Sequence, residues 1–141
     1  MGTTTFSGPV RSERGFTAVG SNAVVNITIE TTLTYADHVG RIVEINDADG
    51  AVTLPTITDA TIGAKYTFFV GTDATDLDIK TDGTDKFVGS VSVAGTTTKA
   101  FAPAASNDVI SMNGSTTGGD AGSYVEATAL ATAEYLVQGV L

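Results

Sequence analysis

His38 is the only histidine of the chain, so a Ser–His–Asp arrangement would have to use it. No Gly-x-Ser-x-Gly elbow surrounds any serine, and His38 lies in the turn-like stretch YADHVG. That context predicts a surface or turn residue, not a base. Five aspartates, Asp73, Asp76, Asp78, Asp82 and Asp85, stand in DATDLDIKTDGTD, and oxygen-rich spacing of this kind suits calcium. The run lacks the closing glutamate of an EF-hand loop, and Leu77 and Ile79 require a strand between the aspartates. NDADG at 46–50 fails the same test. Both are read as solvated turn carboxylates, so no metal and no cofactor are expected. Paired carboxylates also cleave glycosides, but the chain has no tryptophan to form a sugar platform, and its Tyr and Phe residues fall mostly at core-facing positions. Gly118 and Gly119 are not followed by the Lys and Ser/Thr of a phosphate loop on a helix. None of these residues assembles into catalytic chemistry, and no enzyme is expected.

The other chemistry-bearing stretch is FSGPVRSERGF, residues 6–16, with two of the three arginines. It has no hydrophobic period and cannot build a core by itself. Residues 1–20 are therefore read as an extended arm whose partner surface lies elsewhere. Phe6, Pro9, Val10 and Phe16 would fill shallow apolar grooves, and Arg11 and Arg14 would meet carboxylates bidentately.

The elements that must carry these residues are strands. The chain has 141 residues, enough for one domain with a real core. Threonine is the most frequent residue, and lysine, glutamate and glutamine are scarce, a mixture that favours pleated surfaces over helices. The net charge of −9 argues against nucleic acid and against an anionic membrane as partners. No apolar run reaches the ~18 residues of a membrane span, and no secretory pattern opens the sequence. There is no cysteine, which excludes disulfides and thiolate metal sites.

Alternation of period two recurs along the chain. Val25, Ile27 and Ile29 alternate with polar residues, Arg41 to Ile45 is a short apolar run, and DADG reads as a hairpin turn into Val52 and Leu54. Tyr66, Phe68 and Val70 share a face, as do Leu77 and Ile79. After DGTD come Phe87, Val91 and Val93, and later Ile110 and Met112. The stretch 123–139 fits a helix capped by Ser123 and Glu126. It fits equally a hairpin with strands near 124–130 and 134–140, which the strand-rich surroundings favour. The expectation is an all-β domain over 21–141: an antiparallel sandwich or barrel-like body of nine to ten short strands, preceded by the arm.

The stretch DVISMNGSTTGGDAGSYVEATALATAEYLVQG resembles the C-terminal pattern of bacteriophage head decoration, or capsid cement, proteins. The resemblance rests on Ile110, Asn113, Gly114, Thr116, Thr117, Gly118, Gly119, Val125, Glu126, Tyr135, Val137 and Gly139. Upstream, TLTYADHVGRIVEIN followed by AVTLP is similar to their common opening, although Tyr135 stands where a tryptophan is frequent. The resemblance implies a structural virion protein on the outer surface of the capsid, a homotrimer bridging subunits of the major capsid protein. Tyr135, Val137, Val140 and Leu141 are then the candidate trimer interface, since an apolar terminus is unfavourable in water. Similar motifs occur in fibre modules, which makes a carbohydrate- or receptor-binding module of a head or tail fibre the alternative.

Overall fold

The computed structural model describes residues 5, 7, 20, 23–94 and 99–141. Phe6, Pro9, Val10, Arg11, Arg14 and Phe16, and with them the expected arm, lie outside the described residues. The body is built from strands β1 (Val24–Ile27), β2 (Thr31–Thr32), β3 (Ile42–Ile45), β4 (Ala51–Thr53), β5 (Lys65–Val70), β6 (Leu77–Lys80), β7 (Lys86–Val93), β8 (Lys99–Phe101), β9 (Val109–Met112), β10 (Tyr124–Ala131) and β11 (Glu134–Val140). A single helical turn, α1 (Tyr35–His38), and a 3-10 turn at Asp59–Thr61 interrupt them.

The strands form a seven-stranded sheet, in the order β1-β3-β5-β10-β11-β7-β8, and a four-stranded sheet, in the order β2-β4-β6-β9. The first six strands alternate between the sheets, and like-numbered partners pair in parallel: β1 with β3, β3 with β5, β2 with β4 and β4 with β6. Parallel neighbours need a crossover, most often a helix; in this chain the crossover is a strand of the other sheet. The expected antiparallel body is therefore corrected to two mixed sheets. DADG is likewise not a hairpin turn, because β3 and β4 belong to different sheets. Its backbone anchors the crossing, with Ala48 O accepting from Thr75 N at 2.7 Å and from Asp76 N at 3.1 Å.

Both sheets contribute their alternate residues to one buried cluster. Tyr66, Phe68 and Val70 enter it from β5, Leu77 and Ile79 from β6, Phe87, Val91 and Val93 from β7, and Ile110 and Met112 from β9. The period-two reading holds at each of these. It fails at Ile29, which is 71% exposed beyond the end of β1.

The C-terminal hairpin forms as expected, with β10 and β11 antiparallel. Ala131 pairs with Glu134 across the two residues Thr132 and Ala133, and Ala133 has φ 69°. A left-handed conformation costs an L-residue roughly 1–2 kcal/mol, whereas glycine adopts it freely but loses more entropy on folding. Ala133→Gly should therefore stabilise the protein by about 0.5 kcal/mol, the difference of these terms. Ala133→Val should destabilise it, and urea unfolding midpoints read both.

Candidate functional site

The outward face of the seven-stranded sheet carries the largest set of exposed apolar side chains among the described residues. The sequence signal for it is a series of apolar doublets, Val24-Val25, Ile42-Val43, Phe68-Phe69 and Tyr124-Val125. A strand sends successive residues to opposite faces, so each doublet makes both faces apolar. Val43, Phe68 and Val125 go to the core, while Val24, Ile42, Phe69 and Tyr124 are each 38–44% exposed. Period two singles out Val25 and Phe68, the inward members, and carries no mark for Val24 and Phe69 on the other face.

Register aligns these outward residues. Val24 lies beside Ile42, Phe69 beside Tyr124, and Tyr124 beside Val140. Val24, Ile42, Glu44, Thr67, Phe69 and Tyr124 line a shallow groove of about 320 Å³ across four neighbouring strands. Glu44 is the only ionisable carboxylate in that lining, and Asn26 Nδ2 donates to it at 3.5 Å.

Next to the groove, Glu126 occupies the middle of the same face. Its Oε1 meets Lys65 Nζ at 2.9 Å and accepts from Gln138 Nε2 at 3.0 Å. Its Oε2 accepts from Tyr124 OH at 3.1 Å. Lys65 first, and then the Gln138 and Tyr124 hydrogen bonds, hold the Glu126 carboxyl below its ordinary range against the effect of burial. Glu126 is thus a fixed negative charge with its acceptors occupied, suited to orienting a partner and not to passing protons. Of the motif residues, Val125 packs in the core and Glu126 faces outward.

The structure redistributes the candidate trimer-interface residues. Tyr135 (2% exposed), Val137 (1%) and Leu141 (7%) are buried in the chain's own core. Period two turns Tyr135 and Val137 inward, and Leu141 N donates to Ser92 O at 2.7 Å, extending β11 into the body. The terminus therefore needs no sister subunit to cover Leu141. Val140 is the member of that set that faces out.

The aspartates serve different loops. Asp73 Oδ1 accepts from Ala121 N at 2.8 Å, tying two loops together. Asp76 is exposed, and Asp78 lies on β6 with Oδ1 buried and without a hydrogen-bond partner. Asp82 and Asp85 belong to a clamp on residues 55–57. Tyr135 OH donates to Pro55 O at 2.6 Å, Thr56 Oγ1 donates to Asp82 Oδ2, and Ile57 N donates to Asp85 Oδ2 at 2.8 Å. Among the described residues no three His, Asp or Glu side chains converge on a metal-sized position. His38 is half-buried at the end of α1, with Nδ1 3.0 Å from Thr34 N, so it closes its own helical turn.

Gly118 and Gly119 act through space as much as through conformation. Both have positive φ, and a Cβ on Gly118 would lie 2.3 Å from Leu141 Cβ, while one on Gly119 would lie 2.7 Å from Met112 Cβ. Asn113 organises the same loop, its Oδ1 accepting from Ser115 N and Thr117 N, both at 3.1 Å. A second cavity of about 220 Å³ opens between β7, β8 and β9, lined by Phe101, Val109 and Leu141 among others, none of them ionisable.

The clamp makes stability pH-dependent in two directions. Burial acts to raise Asp82, but hydrogen bonds from Thr56, Thr84 and Asp85 N outweigh it and hold its carboxyl at about 2. A depressed folded value means stability that is present above the unfolded value of about 3.9 and lost as pH falls toward 2. Burial pushes Asp85 up, with the Asp82 charge adding to it. Its contribution is full at low pH and declines as pH rises through its raised folded value. Asp82→Asn should flatten acid destabilisation between about pH 5 and 2. Asp85→Asn, which keeps an acceptor for Ile57 N, should gain stability on neutral buffer relative to acid. Unfolding followed across pH tests both.

No family model, no curated protein and no solved structure matches this chain.

Proposed function

We propose that the chain is a structural virion protein, a two-sheet β-sandwich that decorates the outer surface of a bacteriophage capsid as a homotrimer. In this reading the N-terminal arm, with Phe6, Pro9, Val10, Arg11, Arg14 and Phe16, reaches major capsid protein subunits and ties them together. Contacts between copies centre on the outward residues Val140 and Leu136.

The observation that carries the reading is the outward face of the seven-stranded sheet. Val24, Ile42, Phe69, Tyr124, Leu136 and Val140 are all exposed on it, and Glu126 is locked in place among them. Contiguous exposed apolar surface of this kind marks protein contact. A broad, shallow groove suits another protein better than a small substrate, which is bound in a concave pocket with converging polar groups. The motif residues support the reading from the sequence side.

Quantitative mass spectrometry of purified virions tests it. A decoration protein is present in hundreds of copies per particle. Copy numbers in the tens would instead assign the chain to a fibre, and its absence from virions would sink the proposal. Sedimentation of the purified protein at micromolar concentration should give a trimer.

A further inference from the structure

The groove on the outward face of the seven-stranded sheet has a matching ligand in the chain itself. Its walls are the apolar and aromatic side chains of Val24, Ile42, Phe69 and Tyr124, and its one carboxylate is Glu44. A segment that fills it needs an apolar or aromatic side chain for the floor and a cation for Glu44. Residues 1–20 carry that combination, with Phe16 two residues from Arg14. Arg11 and Arg14 against Glu13 give these residues a net +1, and the whole chain is −9, so the remainder carries −10. The segment is the one net-positive end of an acidic protein.

Geometry favours the chain's own segment over a neighbour's. Ala23 N donates to Gly20 O at 2.9 Å, and Gly20 has φ 101°. That bond lies immediately before Val24, itself a groove wall. The eight residues from Phe16 to Val24 span up to roughly 27 Å when extended. The groove crosses four strands, about 14 Å. Reach is ample, and the tether holds the segment at a high effective concentration beside its own groove. The walls suit an arginine as well, since a guanidinium stacks on exposed aromatic faces.

We infer that in the free protein this groove is the seat of the chain's own N-terminal segment, whose aromatics match its apolar walls and whose arginines match Glu44. Resting on the capsid reading above, the self-contact competes with capsid engagement: the segment covers the apolar face in solution and is given up when the capsid offers a better surface.

The chain has no cysteine, so Ser12→Cys gives a unique site for a nitroxide label between the two arginines. Paramagnetic broadening of amide signals is then read in the full-length free protein. Glu44, Phe69 and Tyr124 should broaden several-fold more than Lys80 and Ser111, which lie on the outward face of the four-stranded sheet. Glu44→Lys in the labelled chain should erase that preference. Equal broadening on the two sheets overturns the inference. So does broadening that appears as strongly when labelled protein is mixed with an unlabelled, isotope-enriched copy, since that result assigns the groove to a neighbour's segment. The measurement uses no capsid, so its failure leaves the capsid role to be judged by the virion copy number.

Discussion

Tyr135→Ala should lower the free energy of unfolding by about 3–5 kcal/mol, the range for deleting a large buried aromatic side chain. Two contributions make the site sensitive. The ring is 2% exposed and packs edge-on against Tyr66, with centroids 6.3 Å apart. Its hydroxyl donates to Pro55 O at 2.6 Å, holding the first residue of the clamped stretch that Asp82 and Asp85 hold at the next two. Tyr135→Phe separates the contributions. It keeps the ring and leaves the Pro55 carbonyl without its donor, which should cost about 1–3 kcal/mol. Chemical denaturation of the two variants checks the division. Equal losses would mean that the hydroxyl, and not the packing, dominates.

Leu141→Ala should cost about 2–5 kcal/mol, and the cost should not change with protein concentration. The side chain is buried within its own subunit. It lies against the backbone of Gly118, where an added Cβ would come within 2.3 Å of Leu141 Cβ. Its backbone continues the β-ladder, since Ala94 N donates to Leu141 O at 2.8 Å. Had Leu141 been covered by a sister subunit, dilution would deepen the defect by mass action. Unfolding curves over a hundredfold concentration range distinguish the cases. Val140→Ser makes the contrast: it faces outward, so it should leave subunit stability nearly unchanged and act on association.

What the amino-acid order makes legible is which side of a strand is wet. Tyr66, Phe68 and Val70, or Leu77 and Ile79, announce their inward face through period two alone, and the structure buries each of them. Pairing partners are not legible this way. A half-buried strand has the same alternation whether its neighbour runs parallel or antiparallel, so the winding of β1 to β6 between the two sheets left no local trace. Two strands gave no pattern at all: β2 has two residues, and the three residues of β8 are all exposed. The outward face was partly legible. Its apolar doublets can be read directly, but Lys65, Gln138 and Glu126 come together only through the β5–β10–β11 register. The burial of Leu141 has no local signature: an apolar end reads the same whether a partner molecule covers it or β11 carries it back into the body, as here.

The position of the β10–β11 hairpin sets the order in which this chain can mature. It lies between β5 and β7 in the seven-stranded sheet, yet it is the last part of the body to be synthesised. During translation the group β1-β3-β5 and the group β7-β8 each present an open strand edge, with no covalent neighbour available to close it. Unpaired edges recruit other chains, and pairing that waits for distant sequence is slow. Nascent chains on neighbouring ribosomes are thus exposed to wrong partners until residue 140 has left the exit tunnel. A late premature stop that removes β11 leaves more than a shortened protein: it leaves two half-sheets with no seam between them.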